Sequence, residues 1–303
     1  MQNQMPNNKS ILSRLSRFIT TYKWKLLMEL RLNNSKVNRI LRQINESEIT
    51  KVPIEIRNLN LSINDYSNFI NSPVLNKYNK FVYPYSKPLE YLTTMTLLDL
   101  RAGDQILDAA GGEKAEYIKA LMAVSDFKFS AYCQDSLLDG KSVDGVTYIG
   151  GSINAIPLPD ESLDGISCHH SFEHFRDDLD IKFIQEAVRL LRVGRNLVIV
   201  PLFLANEYAE IWNNKQIHKY DPEKALTIFD STASFAGWGP YEGFARTYNP
   251  DALKTRILDN LPSHCEAKIY KVLLDGKPVP DINQNYHQPL LNVEMKALVI
   301  TKT

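Results

Sequence analysis

The sequence predicts an α/β fold built on a mostly parallel, seven-stranded sheet, and three observations predict it. From residue 88 onward, short apolar runs alternate with amphipathic helical stretches, the pattern of a parallel sheet covered on both faces. The first run, "QILDAA", leads into Gly111 and Gly112 and then a helix-like stretch; strand, tight glycine turn and helix open a nucleotide-type pocket. Two late runs, "CEAKIYKVLL" and "VEMKALVIT", have no helix between them, which predicts an antiparallel final strand.

Taken in order, residues 1–87 read as a helical basic extension and linker, and residues 88–303 as the main domain. Residues 1–51 carry ten Lys and Arg against three Glu, a net charge of +7. Apolar residues at three- and four-residue spacings in "ILSRLSRFITTYKWKLLMELRL" predict one or two amphipathic helices. Such helices either pack on the domain with a solvated basic face or make a peripheral contact with an anionic membrane or acidic partner. Residues 52–87 are rich in Asn, Ser and Pro and read as a linker with short structured pieces. From residue 88, "LEYLTTMTLLDL", "AEYIKALMAV" and "DLDIKFIQEAVRLLRV" read as helices. "QILDAA", "FKFSAYCQD", "VTYIGGS", "LDGISCHH" and "NLVIVPLFL" read as the strands between and after them. "PDALKTRILDNL" is a further helix, before the last two strands.

The chain has 303 residues and zero formal net charge. No basic stripe runs across residues 88–303, which disfavours DNA or RNA as partner, since backbone binding needs clustered Lys and Arg. Cys133, Cys168 and Cys265 are odd in number and show no CxxC spacing, the usage expected of reduced thiols in a cytoplasmic protein. The first residues lack a long apolar core and a small-residue cleavage site, so no signal peptide is expected. The densest apolar run, residues 197–205, is too short to span a bilayer.

Four strand ends carry candidate site residues, because ligands in such sheets bind beyond the carboxyl ends of the strands. In "LDAAGGEKAEY" the glycines allow close backbone approach, while Asp108 and Glu113 would repel a pyrophosphate and suit an ammonium group or other cation. Asp135, in "AYCQDS", lies 23 residues past Gly112, the place of a ribose-hydroxyl acceptor. Ser152 and Ile153 follow Gly150 and Gly151 and can offer polar groups and an apolar face to an adenine. In "CHHSFEHF", His170 and His174 are candidate general bases, and Glu173 can orient either ring. No further Cys/His cluster completes a tetrahedral site, so no metal is expected.

Residues 88 to about 205 resemble the class I S-adenosylmethionine-dependent methyltransferases, of the methyltransferase type 11-like pattern. "ILDAAGG" is similar to their glycine loop, and "AYCQDS" to their second-strand acid. "GGSINAIPLPDESLDGISCHHSFEHF" resembles the stretch G-D-A-x-x-L-P-F-x-D-x-S-F-D and its trailing E-H. "FIQEAVRLLRVGRNLVIV" resembles the entry to their fifth strand. The resemblance implies a Rossmann-like seven-stranded sheet with S-adenosyl-L-methionine as cofactor. It places Asp108 and the backbone of Ala110, Gly111 and Gly112 at the methionine moiety, Asp135 on the ribose, and Ser152 and Ile153 at the adenine. It puts His169 near the methionine and adenosine. The sequence departs from the family pattern at Ala110, Lys114, Ser152, Val193 and Arg195.

The expected activity is methyl transfer to a small polar acceptor, a hydroxyl of a saccharide or similar metabolite. His170, then His174, would remove the proton. The acceptor pocket is expected from residues after the fifth strand: Trp212, His218, Tyr220, Arg246 and Tyr248 offer stacking faces, hydroxyls and positive charge. Two other readings share the fold: a binding or scaffold protein without catalysis, and a dinucleotide-dependent oxidoreductase.

Overall fold

Ile106 and Leu107 are neighbours in sequence and lie in opposite cores, and so do Leu197 with Ile199 against Val198 with Val200. Side chains of a strand alternate between faces, so a strand buried on both must be apolar throughout. That rule explains the continuous apolar run of residues 197–200, each fully buried.

The computed structural model describes residues 49, 51–80, 86–136, 138, 140, 142–212, 225–229, 243–279 and 294–303. In chain order the strands of the main sheet are β1 (Glu55–Leu61), β2 (Gln105–Ala109), β3 (Ser130–Gln134), β4 (Ser142–Val143), β5 (Val146–Ile149), β6 (Leu163–His169) and β7 (Leu191–Val200). Three strands, β8 (Ala209–Trp212), β9 (Leu226–Phe229) and β10 (Phe244–Thr247), form a separate small sheet. The main sheet ends with β11 (Cys265–Leu274), β12 (Lys277–Pro278) and β13 (Lys296–Lys302). The helices are α1 (Ile63–Ile70), α2 (Ser86–Leu98), α3 (Glu116–Val124) and α4 (Leu179–Leu190), and a helical stretch over residues 250–260 follows β10.

The main sheet runs β1-β11-β13-β7-β6-β2-β3-β5-β4. The seven expected strands are all present, as β2, β3, β5, β6, β7, β11 and β13, and β13 is antiparallel to both its neighbours. The chain moves outward from β2 to β3 and β5, then returns to β6 on the other side of β2. The reversal opens a crevice at the carboxyl ends of β2 and β6, and ligands bind in such crevices.

The segment read as linker departs from expectation. Residues 55–61 form a strand parallel to β11, from Glu55 opposite Lys268 to Leu61 opposite Leu274. Residues 63–70 then form α1, whose first turn is capped by the Ser62 hydroxyl accepting from the backbone amide of Asn64 at 3.0 Å. Tyr66, Phe69 and Ile70 of α1 are buried in the same core as α2 and α3. An edge strand has one partner and a solvated side, so "EIRNLNL" carries Asn and charge where an inner strand would be apolar. The expected boundary at residue 88 therefore cuts through one folded unit. Residues 1–48, read as a basic helical extension, lie outside the described residues. Among the described residues no helix is long and apolar enough to cross a membrane.

Candidate functional site

The turn after β2 is shaped by contacts that permit only its own residues. A Cβ on Gly111 would sit 2.4 Å from Asp108 Oδ2 and 2.9 Å from Cys133 Sγ, so the backbone packs directly on the acid and the thiol. Gly112 has φ +71°, and Ala110 takes a left-handed φ of +52° without being glycine, at a cost of about 1 kcal/mol or more. Gln134 at the end of β3 holds the turn. Its Oε1 accepts from Ala110 N at 3.2 Å, and its Nε2 donates to the Gly151 carbonyl at 2.7 Å. Asp135 Oδ2 accepts from Gly112 N at 3.2 Å.

These loops border a cavity of about 350 Å³, a size typical of small-molecule sites. One wall comes from the strand ends: Ala110, Gln134, Asp135, Ser136, Ser152, Ile153 and Ser171. The rest of the lining is His174, Phe175, Arg176, Leu179, Gly243 and Phe244. Of the expected cofactor residues, the structure brings Ala110, Asp135, Ser152 and Ile153 to the cavity. Asp108, Gly111, Gly112 and His169 stand behind its wall. Asp108 Oδ1 accepts from Ser167 Oγ at 2.8 Å and faces His169 Nδ1 at 3.1 Å, while His169 Nε2 meets Thr94 Oγ1 at 2.9 Å. His169 also packs on the rings of Tyr91 and Tyr117, at 5.0 and 4.5 Å.

The two candidate bases separate. His174, in the 3-10 turn Phe172–His174, lines the cavity. Its Nδ1 lies 2.5 Å from the Phe244 carbonyl, and its Nε2 lies 3.5 Å from Glu173 Oε1. A carbonyl only accepts, so Nδ1 carries the proton, and in the neutral ring Nε2 is the basic nitrogen. His170 lies away from the cavity. Its Nε2 is 2.7 Å from Glu90 Oε1 and its Nδ1 is 3.4 Å from Glu173 Oε1. Burial pushes its proton affinity down, but Glu90 and Glu173 outweigh burial and raise its pKa to about 10. His170 is therefore an imidazolium at neutral pH, which removes it as the first choice of base. Glu173 is buried, which alone would raise its pKa, yet His174 and His170 hold it below the usual carboxylate range.

The expected acceptor residues also divide. Arg246 is fully buried. It donates to the carbonyls of Phe175 and Asp177 at 2.9 and 3.0 Å and to Glu210 at 2.8 Å, and it lies 3.0 Å from Asp180. Tyr248 donates to Asp180 Oδ2 at 2.8 Å. Both residues tie the small sheet to α4 and stand outside the cavity wall, so they act as scaffold. Trp212 backs the wall: the Arg176 guanidinium lies 5.3 Å from its ring centroid and the Phe244 ring 4.7 Å away, edge on. His218 and Tyr220 lie outside the described residues.

Sequence reasoning missed the contribution of α2. Lys87, Glu90, Tyr91 and Thr94 fall at i, i+3, i+4 and i+7, so one face of the helix presents them together. Residues 88–94 are all buried, and Glu90, Tyr91 and Thr94 reach His170 or His169. The available signal was a Glu and two Thr inside a helix apolar enough to be buried on every side.

The departures at Val193 and Arg195 sit far from this cavity. Residues 192–195 bulge from β7 between the pairs Leu163–Leu191 and Gly165–Asn196. Arg195 lies 2.9 Å from Asp104 and 3.3 Å from Asp164, at the amino end of the sheet.

The observed donors fit the cofactor that the resemblance implies. Asp135 offers a carboxylate for ribose hydroxyls, Ile153 an apolar face for a base, and Ser136 and Ser152 hydroxyls. A family model described as a methyltransferase domain matches residues 111–199, from the glycine turn to β7. The methyltransferase YcgJ of Bacillus subtilis (strain 168), itself uncharacterized, is 26% identical over 108 residues. That alignment covers 34% of this chain and 42% of YcgJ, so the chain spans well under half the length of that relative. Among solved structures, an S-adenosylmethionine-dependent methyltransferase from Aquifex aeolicus is 14% identical with a TM-score of 0.39, covering 75% of this chain and 98% of that one. Phospholethanolamine N-methyltransferase 2 of Haemonchus contortus, complexed with phosphomonomethylethanolamine and S-adenosylhomocysteine, is 17% identical with a TM-score of 0.31. It covers 37% of this chain and 28% of that one. The family match marks residues 111–199 as similar to a methyltransferase domain, and the sheet order and glycine turn agree with the fold that the resemblance implies.

Proposed function

We propose that the protein transfers a methyl group from S-adenosylmethionine to a hydroxyl of a small polar acceptor, a saccharide or similar metabolite. The observation that carries this reading is that Asp135 and His174 line one cavity. Asp135 would hold the ribose and Ile153 the adenine, with Ala110 and Ser152 beside them. When bound, the cofactor supplies an electrophilic methyl group on a sulfonium.

The chain's own residues do the rest by placement and proton transfer. His174 Nε2 takes the acceptor's proton as the new bond to carbon forms. The neighbouring Glu173 carboxylate stabilises the imidazolium that results, and the Phe244 carbonyl fixes the ring. Phe175, Leu179 and Phe244 give this side of the cavity apolar faces, on which a sugar ring can stack. Arg176 adds hydrogen-bond donors to the same wall. The zero net charge of the chain supports a small acceptor over a polyanion.

The test is transfer of labelled methyl from S-adenosylmethionine to a panel of saccharides and other hydroxyl compounds. His174→Ala is expected to lower kcat by about 100-fold or more, the usual contribution of a general base. Full activity in His174→Ala, or transfer only to nucleic acid, contradicts the reading.

A further inference from the structure

We propose that Glu90 is a positioning residue: through His170 it holds Glu173 and His174 at the cavity wall. The inference rests on His174 as the proton acceptor of the proposed reaction.

The geometry is a chain of four titratable side chains running from a helix to the small sheet. Glu90 sits on α2 with its side chain fully buried, 2.7 Å from His170 Nε2. The other nitrogen of His170 lies 3.4 Å from Glu173 Oε1, and the same oxygen lies 3.5 Å from His174 Nε2. His174 Nδ1 then reaches the Phe244 carbonyl on β10. At His170 each link pairs a donor with an acceptor, since an imidazolium donates at both nitrogens and a carboxylate only accepts; the link from Glu173 to His174 gains its proton when His174 Nε2 takes one.

Packing alone does not explain this arrangement. A buried ion pair is commonly no better for stability than apolar residues of the same volume. His170 also adopts a left-handed φ of +46°, which costs free energy in a non-glycine residue. The strain turns its ring inward between the two acids. The groups facing His170 are Glu90 and Lys87 from α2, Glu173 from the 3-10 turn, and the Phe203 ring at 5.8 Å. Lys87 Nζ lies 3.4 Å from the second oxygen of Glu90. Two cations thus balance two carboxylates behind the wall. His174 is the member of the chain that faces the cavity and exchanges a proton there.

The experiment is side-chain NMR titration of the histidines in the full chain, compared with Glu90→Gln. In the wild type, His170 is expected to stay protonated beyond pH 8, with its midpoint at about 10. In Glu90→Gln it should fall toward the ordinary value of about 6.5, and the His174 midpoint should move with it. A purely structural contact would leave His174 unmoved. S-adenosylhomocysteine affinity should change by less than about threefold, because Glu90 does not border the cofactor wall. The proposal is overturned if wild-type His170 is neutral at about pH 8, or if Glu90→Gln leaves the His174 titration in place. Should Glu90→Gln not fold, the wild-type titration decides the matter. Failure of the wild type to bind S-adenosylhomocysteine would sink the methyl-transfer reading instead, whatever the histidines do.

Discussion

The two ends of the sheet are both rich in charge, and they use it in opposite ways. At the amino end, Arg192 and Arg195, with side chains 39% and 22% exposed, cover the buried carboxylates of Asp104 and Asp164. At the carboxyl end, Asp108, Asp135, Glu90 and Glu173 are buried almost completely, beside two histidines and a cavity. Water reaches the arginines of the first group, so those pairs are partly screened. The second group is desolvated, so each charge must be matched and each backbone turn must fit. Buried, matched charge at a sheet end is therefore no mark of a site by itself; an adjoining cavity is.

The largest break in this comparison should come from a buried charge that is purely scaffold. Asp180 receives Arg246, Arg256 and Tyr248, and Asp180→Ala takes one of two carboxylates from the fully buried Arg246 and leaves the buried Tyr248 hydroxyl without its acceptor. Urea denaturation should show a loss of about 3–5 kcal/mol. A loss below about 1 kcal/mol would mean that Glu210 and the two carbonyls suffice for Arg246.

Gly111→Ala should come next. The added methyl would overlap Asp108 and Cys133, with a cost of about 1–3 kcal/mol in stability. The turn must shift, so S-adenosylhomocysteine binding should weaken as well. Unchanged binding would show that the turn moves without disturbing the cofactor wall.

A pH effect separates the two ends without mutation. Folded His170 has a pKa raised to about 10, above its unfolded value of about 6.5. The folded state therefore binds the proton more tightly. This stabilisation is complete below about pH 6.5 and is lost as pH rises toward 10. Urea midpoints should fall across that interval in the wild type, and fall less in Glu90→Gln.

The smallest effect should be at the amino end. Arg195→Gly restores the residue common in the resembling family and removes two ion pairs from a part-exposed arginine to buried acids. It should cost about 1 kcal/mol and leave cofactor affinity unchanged. A large loss of affinity would place the bulge of residues 192–195 in communication with the site.

Much of this was legible in the sequence. Apolar runs separated by helical periods yielded the seven strands and the antiparallel β13, because strands buried on both faces cannot hide their composition. Asp135, Ser152, Ile153 and Ala110 were legible because their strand ends converge on one crevice. Three things were not. The edge strand β1 reads as linker because one of its sides is solvated. Glu90 lies about 80 residues before its partner His170, and no local pattern connects a helix to a distant turn. Arg246 and Tyr248 have the chemistry of a binding site, and only tertiary contacts reveal that Asp180 and Glu210 already engage them.

The central claim is that the carboxyl-end cavity holds S-adenosylmethionine with Asp135 on its ribose. Calorimetric titration of the full chain with S-adenosylhomocysteine, beside Asp135→Ala and Arg195→Gly, tests it most directly. One molecule should bind per chain. Asp135→Ala should weaken binding by about 10- to 100-fold, the loss expected for a charged hydrogen-bond partner, and Arg195→Gly should match the wild type. Absence of binding in the wild type, or equal affinity in wild type and a folded Asp135→Ala, would contradict the account.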